Sequence, residues 1–284
     1  MSVRTDLAVD ISETLKEKEE GIKKKTETHG EVKVTTICIE SAAGEQVYGK
    51  PRGTYITVEF PSLFRLLDSE GLQTALKEAL NTLLPGKTEK KPMLVAGLGN
   101  TGITADAIGP KTAERILATR HIAGQFAENM GLSGLRSVAV IAPGVLGKTG
   151  IEATELIGGA VRAVDPAAVV VIDALASSSV SRLFQTVQLC DTGISPGSGV
   201  KNSRKEISRR SLGVPVIAVG VPTVVEAGRL AAELTGKNAT EPIELFVTPK
   251  DADLLCEKAG EILSAALNGF LQPDLDPQIL SGLT

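Results

Sequence analysis

The spacing of hydrophobic and polar positions changes its rhythm once along this chain. Between 31 and 40 the pattern alternates, Val32, Val34, Thr36 and Cys38 against Lys33, Thr35 and Ile37. A period of two is the mark of a strand with one buried face. The stretch 54–60 repeats the signal, and 44–53 between them reads as a loop or hairpin. Upstream, 12–25 is highly charged. Ser12 and Glu13 stand where a helix would start, Leu15 and Ile22 face inward, and the remainder reads as a solvated face or mobile arm. From 62 to 84, Leu63, Leu66, Leu67, Leu76, Leu80, Leu83 and Leu84 are interrupted at Gly71. This predicts one broken helix or two in succession. Pro85-Gly86-Lys87 through Pro92 is a linker signal.

Beyond that linker, short apolar runs alternate with longer amphipathic ones. Strands are predicted at 93–97, 138–142, 169–173, 187–190, 214–219 and 244–247. Helices are predicted at 105–119, 151–164, 223–234 and 250–270, with an irregular tail over 271–284. The alternation predicts an α/β fold, a mostly parallel sheet with helices on both faces. An N-terminal α+β segment, 1–91, is expected to pack on a catalytic core, 92–270. The length of 284 residues allows one large α/β domain or two modest ones. No fixed-period repeat is present.

Composition narrows the function. Aromatic residues are only 3%, so stacking platforms for single-stranded nucleic acid are not expected. A net charge of −4 argues against a broad nucleic-acid-binding surface. No run reaches the length of a membrane span, and 1–10 has no signal-peptide core. The reading is a cytoplasmic protein. Cys38, Cys190 and Cys256 are far apart, without metal-ligand spacing, and read as buried thiols in a reducing compartment.

The chemistry concentrates at the ends of two predicted strands. Gly97-Leu98-Gly99-Asn100-Thr101-Gly102 follows the first, and Asp106 stands at the start of the next helix. The run Val169-Val170-Val171-Ile172 ends in Asp173. Sites in open α/β sheets form at the carboxyl edge. Two aspartates there suggest a pair that shares a proton, one activating water and the other protonating a carbonyl or leaving amine. Either residue alone also reads as a helix cap. The glycine loop fits a dinucleotide fingerprint, yet the next strand ends Ile141-Ala142-Pro143-Gly144 without the required acid. Asp106 would also repel a pyrophosphate. The pair is equally able to hold a divalent metal, although zinc usually recruits His or Cys, and the only histidines are His29 and His121. Glycine turns at 142–147, 191–199 and 220–223 allow close approach of a peptide backbone. The basic run Lys201-Asn202-Ser203-Arg204-Lys205 reads as solvated surface or as a subsite for an acidic side chain. Ser177-Ser178-Ser179 lacks a nucleophile-elbow context.

The chain resembles the germination protease family of spore endopeptidases. The resemblance is carried by Val3-Arg4-Thr5-Asp6-Leu7-Ala8-Val9, by 97–110, Thr119-Arg120-His121, Pro143-Gly144-Val145, Gly150-Ile151-Glu152, Ile172-Asp173-Ala174-Leu175-Ala176, 191–199, 213–225 and Val247-Thr248-Pro249-Lys250, in order along the chain. It implies an atypical aspartic endopeptidase of the germinating spore, with Asp106 and Asp173 as the catalytic pair. Its substrates would be small acid-soluble spore proteins, cut at a glutamate-containing site. A homotetramer, made first as a zymogen and located in the spore core, is also implied, with no cofactor, no direct nucleic-acid partner and no membrane. The residues expected to meet substrate are Gly97, Gly99, Asn100, Thr104, Gly144, Gly197, Gly199 and Arg204. The fold, phosphorylase/hydrolase-like by this resemblance, would be shared with hydrogenase-maturation peptidases, whose matching acids bind a metal. Arg4-Thr5-Asp6 stands near the start of the sequence, leaving little room for the usual prosegment. The stretch from Val225 to Val247 is shorter than in the family's Bacillus members, and 267–273 diverges from the family's ending. Alternatives from other classes are a metal-dependent maturation peptidase and a non-enzymatic nucleotide-binding module.

Overall fold

Residues 5–15, 20–61, 63, 70–84, 91–122, 134–198, 204–236 and 245–275 are described by a computed structural model. Among them, nine strands form one sheet: β1 (Ile22–His29), β2 (Val32–Ile39), β3 (Gly53–Glu59), β4 (Met93–Gly97), β5 (Val138–Ile141), β6 (Ala168–Ser177), β7 (Thr186–Cys190), β8 (Val216–Glu226) and β9 (Phe246–Val247). Their order is β1-β2-β3-β7-β8-β6-β4-β5, with β9 paired to the end of β8. The block β8-β6-β4-β5 is parallel. The N-terminal strands extend the same sheet with antiparallel pairings through β7. The α/β class is as the alternation predicted, and the parallel part is confined to the segments joined by crossovers.

The helices are α1 (Ala8–Thr14), α2 (Ala42–Tyr48), α3 (Glu70–Leu83), α4 (Ile108–Ala113), α5 (Leu146–Thr149), α6 (Ala153–Val164), α7 (Arg209–Leu212), α8 (Ala227–Thr235) and α9 (Ala252–Leu271). Strand alternation assigns them to two faces. Met93 and Val95 of β4, with Val170 and Ile172 of β6, pack in one cluster with Leu76 and Leu80 of α3 and Leu263 and Leu267 of α9. Leu94 and Ala96, with Val169 and Val171, pack with Ile157 and Val161 of α6 on the other. Strands covered on both sides need apolar residues at every position, which explains the unbroken run before Asp173. Each such Val or Ile contributes about 1.5–3 kcal/mol by leaving water. Farther along the α6 face, Ala8 of α1 and Tyr48 of α2 cover Ile37, Tyr55 and Cys190.

Several boundaries differ from expectation. The charged 12–25 stretch is not one arm: α1 ends at Thr14, and β1 begins at Ile22 and pairs with β2. The expected loop at 44–53 contains α2, whose first turn is capped by Ser41 Oγ accepting from Gly44 N–H at 3.0 Å. The helix expected over 105–119 is a 3-10 turn, Thr104–Asp106, followed by α4. Asn268 of α9 ends this helical stretch, accepting from Leu117 N–H and donating to the Arg115 carbonyl, both at 2.9 Å. A side chain thereby takes the partners that further helix would have supplied.

The strand expected to end at 219 runs to Glu226, and the helix expected at 223 begins at Ala227. Pro222-Thr223 resembles a turn, but a register shift between Leu175 and Ala176 lets β8 carry the proline. β6 likewise runs on to Ser177, so Asp173 lies within a strand rather than at its end. The readings at 62, 64–69, 85–90, 199–203 and 276–284 lie outside the described residues, as does position 244.

Candidate active site

β4 stops at Gly97, paired with Ile172 of β6. Leu98 N–H donates to the Ile172 carbonyl at 2.8 Å as the chain turns away. β6 and β8 continue past that level, with Asp173 opposite Gly220. The sheet therefore has a step, and Asp173 is the first residue beyond it. Its parity with Val169 and Val171 directs its side chain to the α6 face. The continuation of β6 is held by the N-terminal segment. Asp6 N–H donates to the Ala176 carbonyl at 2.9 Å, and the Asp6 carboxylate accepts from Ala176 N–H at 2.8 Å.

The loop from Leu98 to Asp106 delivers the second aspartate. Asn100 N–H donates to the Asp106 carbonyl at 2.9 Å, and Asn100 Oδ1 accepts from Gly102 N–H at 3.0 Å. Gly99 has φ +117°, and a Cβ there would sit 2.0 Å from the Asp106 carbonyl oxygen. The loop closes only around glycine at that position. Thr223 Oγ1 donates to the Ala105 carbonyl at 2.6 Å, tying the loop to β8.

Asp106 and Asp173 line one cleft of about 470 Å³, a size suited to a peptide segment or small molecule. Asp173 is buried, 5% exposed. That burial, then the Asp106 charge, holds its carboxyl well above the usual range, while Ala174 N–H, donating to Oδ1 at 2.9 Å, partly opposes the effect. Burial also raises Asp106, to about 6, against a backbone hydrogen bond from Asn100. In one desolvated site the charge of Asp106 thus opposes ionisation of Asp173, and both carboxyls hold their protons above the usual range.

Of the other expected residues, Gly99, Asn100, Gly144, Gly197 and Arg204 line the cleft. Gly97 and Thr104 do not. Gly97 is a packing residue: its missing Cβ would lie 2.2 Å from the Gly109 carbonyl oxygen, so the strand and α4 meet closely there. Thr104 is exposed on the 3-10 turn, its carbonyl accepting from Cys256 Sγ at 3.1 Å. Gly199 lies outside the described residues. The residue-level reading missed Asp6 and Glu152, which also line the cleft. Each sits in a short motif that carried the family resemblance, and no periodicity or strand-end position marks either one. Among the described residues, no group of three or more His, Cys, Asp and Glu side chains is placed to hold a metal ion. The cleft therefore presents a carboxylate pair without the imidazole or thiolate partners that zinc usually takes.

Comparison with known proteins adds the family. The family model for germination protease matches residues 3–235. The chain is 38% identical to the germination protease of Clostridium tetani over 97% of each sequence, and 38% identical to that of Caldanaerobacter subterraneus over 100% of this chain and 98% of the relative. A Bacillus cereus germination protease is 41% identical over 82% of this chain and 65% of its own length. Among solved structures, the NiFe hydrogenase maturation protease HycI from Thermococcus kodakarensis aligns with a TM-score of 0.39 and 16% identity, over 66% of this chain and 98% of that one. With the matches to the relatives running nearly end to end, this chain is a peptidase that belongs to the germination protease family.

Proposed function

We propose that this protein degrades small acid-soluble spore proteins during germination, cutting at a glutamate-containing site with Asp106 and Asp173 as an aspartic-type pair. The observation that carries the proposal is the convergence of two carboxyls, both with raised affinities for protons, in one peptide-sized cleft.

The burial of Asp173 beside the Asp106 charge suggests the roles. Above about pH 6 Asp106 is largely ionised and takes a proton from water. Asp173 is the protonated partner and gives its proton to the scissile carbonyl oxygen as the water oxygen bonds to the carbonyl carbon. On collapse, Asp106 passes its proton to the departing amine nitrogen as the C–N bond breaks, and Asp173 recovers the proton of the tetrahedral hydroxyl. Both carboxyls end as they began, and no cofactor is consumed. Backbone groups around Gly99, Gly144 and Gly197 border the cleft and would align the peptide, with Arg204 at its rim. In the same reading the enzyme works in the spore core as a homotetramer, formed first as a zymogen.

The deciding experiment is a mass-spectrometric digest of a purified small acid-soluble spore protein by wild type and Asp173→Asn, each with and without EDTA. A defined cut beside a glutamate, lost in the variant and kept in EDTA, is expected. Normal cutting by Asp173→Asn overturns the catalytic assignment. Loss in EDTA alone moves the chemistry to a metal.

A further inference from the structure

A second cavity, of about 250 Å³, adjoins the cleft and shares Asp6 and Leu175 with it. Lys50, in the turn after α2, lies at its wall. The Lys50 ammonium donates to the Asp6 carbonyl at 2.8 Å and stands 5.9 Å from the centroid of the Tyr55 ring. No carboxylate among the described residues forms an ion pair with it. An ammonium has three N–H donors, and a desolvated cation is normally matched by an anion. The nearby acids are otherwise engaged. Both Asp6 carboxylate oxygens accept hydrogen bonds, from Ala176 N–H and Ser198 Oγ, each at 2.8 Å. Glu206, also at the cavity, accepts from Arg210 at 2.7 Å. The cavity therefore holds a cation with unused donors, whose neighbouring carboxylates, Asp6 and Glu206, are hydrogen-bonded elsewhere and form no ion pair with it.

We propose that this cavity is the specificity subsite of the peptidase, and that Lys50 receives an acidic side chain of the bound peptide while the neighbouring cleft holds the bond to be cut. The inference rests on the endopeptidase reading above. It selects among the cations near the cleft on physical grounds. Arg204 is exposed, so water competes for its guanidinium and salt screens it. Lys205 is paired with Glu155 at 2.7 Å. Among the described cations near the cleft, only Lys50 is both partly withdrawn from water and without a carboxylate partner, so it discriminates most strongly between a carboxylate and a neutral amide of the same shape. Burial pulls the Lys50 ammonium below its usual pKa, and an arriving carboxylate would oppose that pull and restore the charge.

The test uses the full chain and two peptides spanning the mapped cut site, identical except that one carries Gln in place of its Glu. Wild type should cleave the Glu peptide with kcat/KM about 10- to 100-fold above the Gln peptide. Lys50→Met should bring that ratio to within about threefold, and Lys50→Arg should restore much of it. Fluorescence-anisotropy binding of the same peptides to Asp173→Asn, with and without Lys50→Met, reads the preference without any cleavage. Lys50→Gln replaces Lys50→Met if the latter does not fold. An undiminished Glu preference in Lys50→Met or Lys50→Gln, or its loss in Arg204→Gln instead, overturns the subsite while leaving the peptidase standing. If folded wild type cuts neither peptide, the endopeptidase reading fails. The subsite is then judged on binding alone: a Glu preference abolished by Lys50→Met supports it, and equal binding of both peptides overturns it.

Discussion

At the scale of single residues, the pair Asp106 and Asp173 carries the sharpest expectations. Their proposed base and acid roles predict a bell-shaped dependence of kcat/KM on pH, with the acidic limb near pH 6, where Asp106 gains its proton. The limb on the alkaline side marks loss of the Asp173 proton. Asp106→Asn should lower kcat by at least about a thousandfold, because no base of matched pKa replaces it. Steady-state rates across pH 4–9 check both points, and a profile flat through pH 6 would remove Asp106 from the base role. Asp173 also has a thermodynamic signature. Its carboxyl binds a proton more tightly folded than unfolded, so its contribution is fully present below the unfolded pKa and is lost as pH rises through the folded one. At neutral pH this aspartate therefore costs stability, and Asp173→Asn, which keeps an acceptor for Ala174 N–H, should raise Tm by about 2–4 °C. Calorimetry at pH 7.5 measures it, and a lower Tm would contradict the assigned burial cost.

At the scale of elements, two close approaches hold the site. Gly109 of α4 fits against the strand ends so tightly that a Cβ would lie 2.1 Å from the Leu98 carbonyl oxygen and 2.5 Å from that of Ile172. These are backbone atoms, which do not swing aside. Gly109→Ala should destabilise the fold by about 1–3 kcal/mol or more and displace the loop that ends at Asp106. Denaturant titration with a parallel activity assay would register both losses. The second approach is that of the N-terminal segment. Asp10, 2% exposed, pairs with Arg182 at 2.7 Å and accepts from Ser178 N–H at 2.8 Å. Arg182 also reaches Glu13 at 2.6 Å. Removing one member leaves a buried charge uncompensated, so Arg182→Met should cost about 3–5 kcal/mol. Limited proteolysis should then cut first between residues 5 and 15, and an unchanged digestion pattern would show that other contacts anchor this segment.

At the scale of the whole molecule, the antiparallel and parallel parts of one sheet meet at β8, beside the strand that carries Asp173. The step where β4 stops while β6 and β8 continue leaves a floor that other segments must wall in. The walls come from the N-terminal Asp6, the loop around Asn100, Gly144 and Glu152 before α6, and Gly197 with Arg204. Residues far apart in the chain thus depend on one another. Light scattering of the purified protein tests the proposed homotetramer, with a mass of four chains expected and a monomer as the contrary result.

Much of this was legible beforehand because it rests on local rules. The double-sided burial of 169–172 dictates an unbroken β-branched run, and Gly99 marks a loop that tolerates no side chain, so the strands, the turn and both aspartates could be read from residue order. The α6 and α9 segments were equally plain from their apolar spacing. Other features have no local signal. Asp173 sits inside β6 because Asp6 supplies hydrogen bonds from the other end of the chain, and β8 crosses Pro222 because a bulge at Thr223, between the partners of Leu175 and Ala176, absorbs the irregularity. Residues 105–119 were cut short as a helix by Asn268 from α9. Gly97 proved to be a packing glycine because α4 folds back onto it. Lys50 gave no signal as a subsite, since its unpaired ammonium exists only once Asp6 and Tyr55 surround it. The sequence by itself determined the strands of the parallel core, the α6 and α9 segments, the family and the two candidate aspartates, since these follow from propensity, periodicity and motif. Only the tertiary structure decided the step in the sheet, the walls of the cleft and the proton affinities, because burial and charge proximity are properties of segments that meet in space.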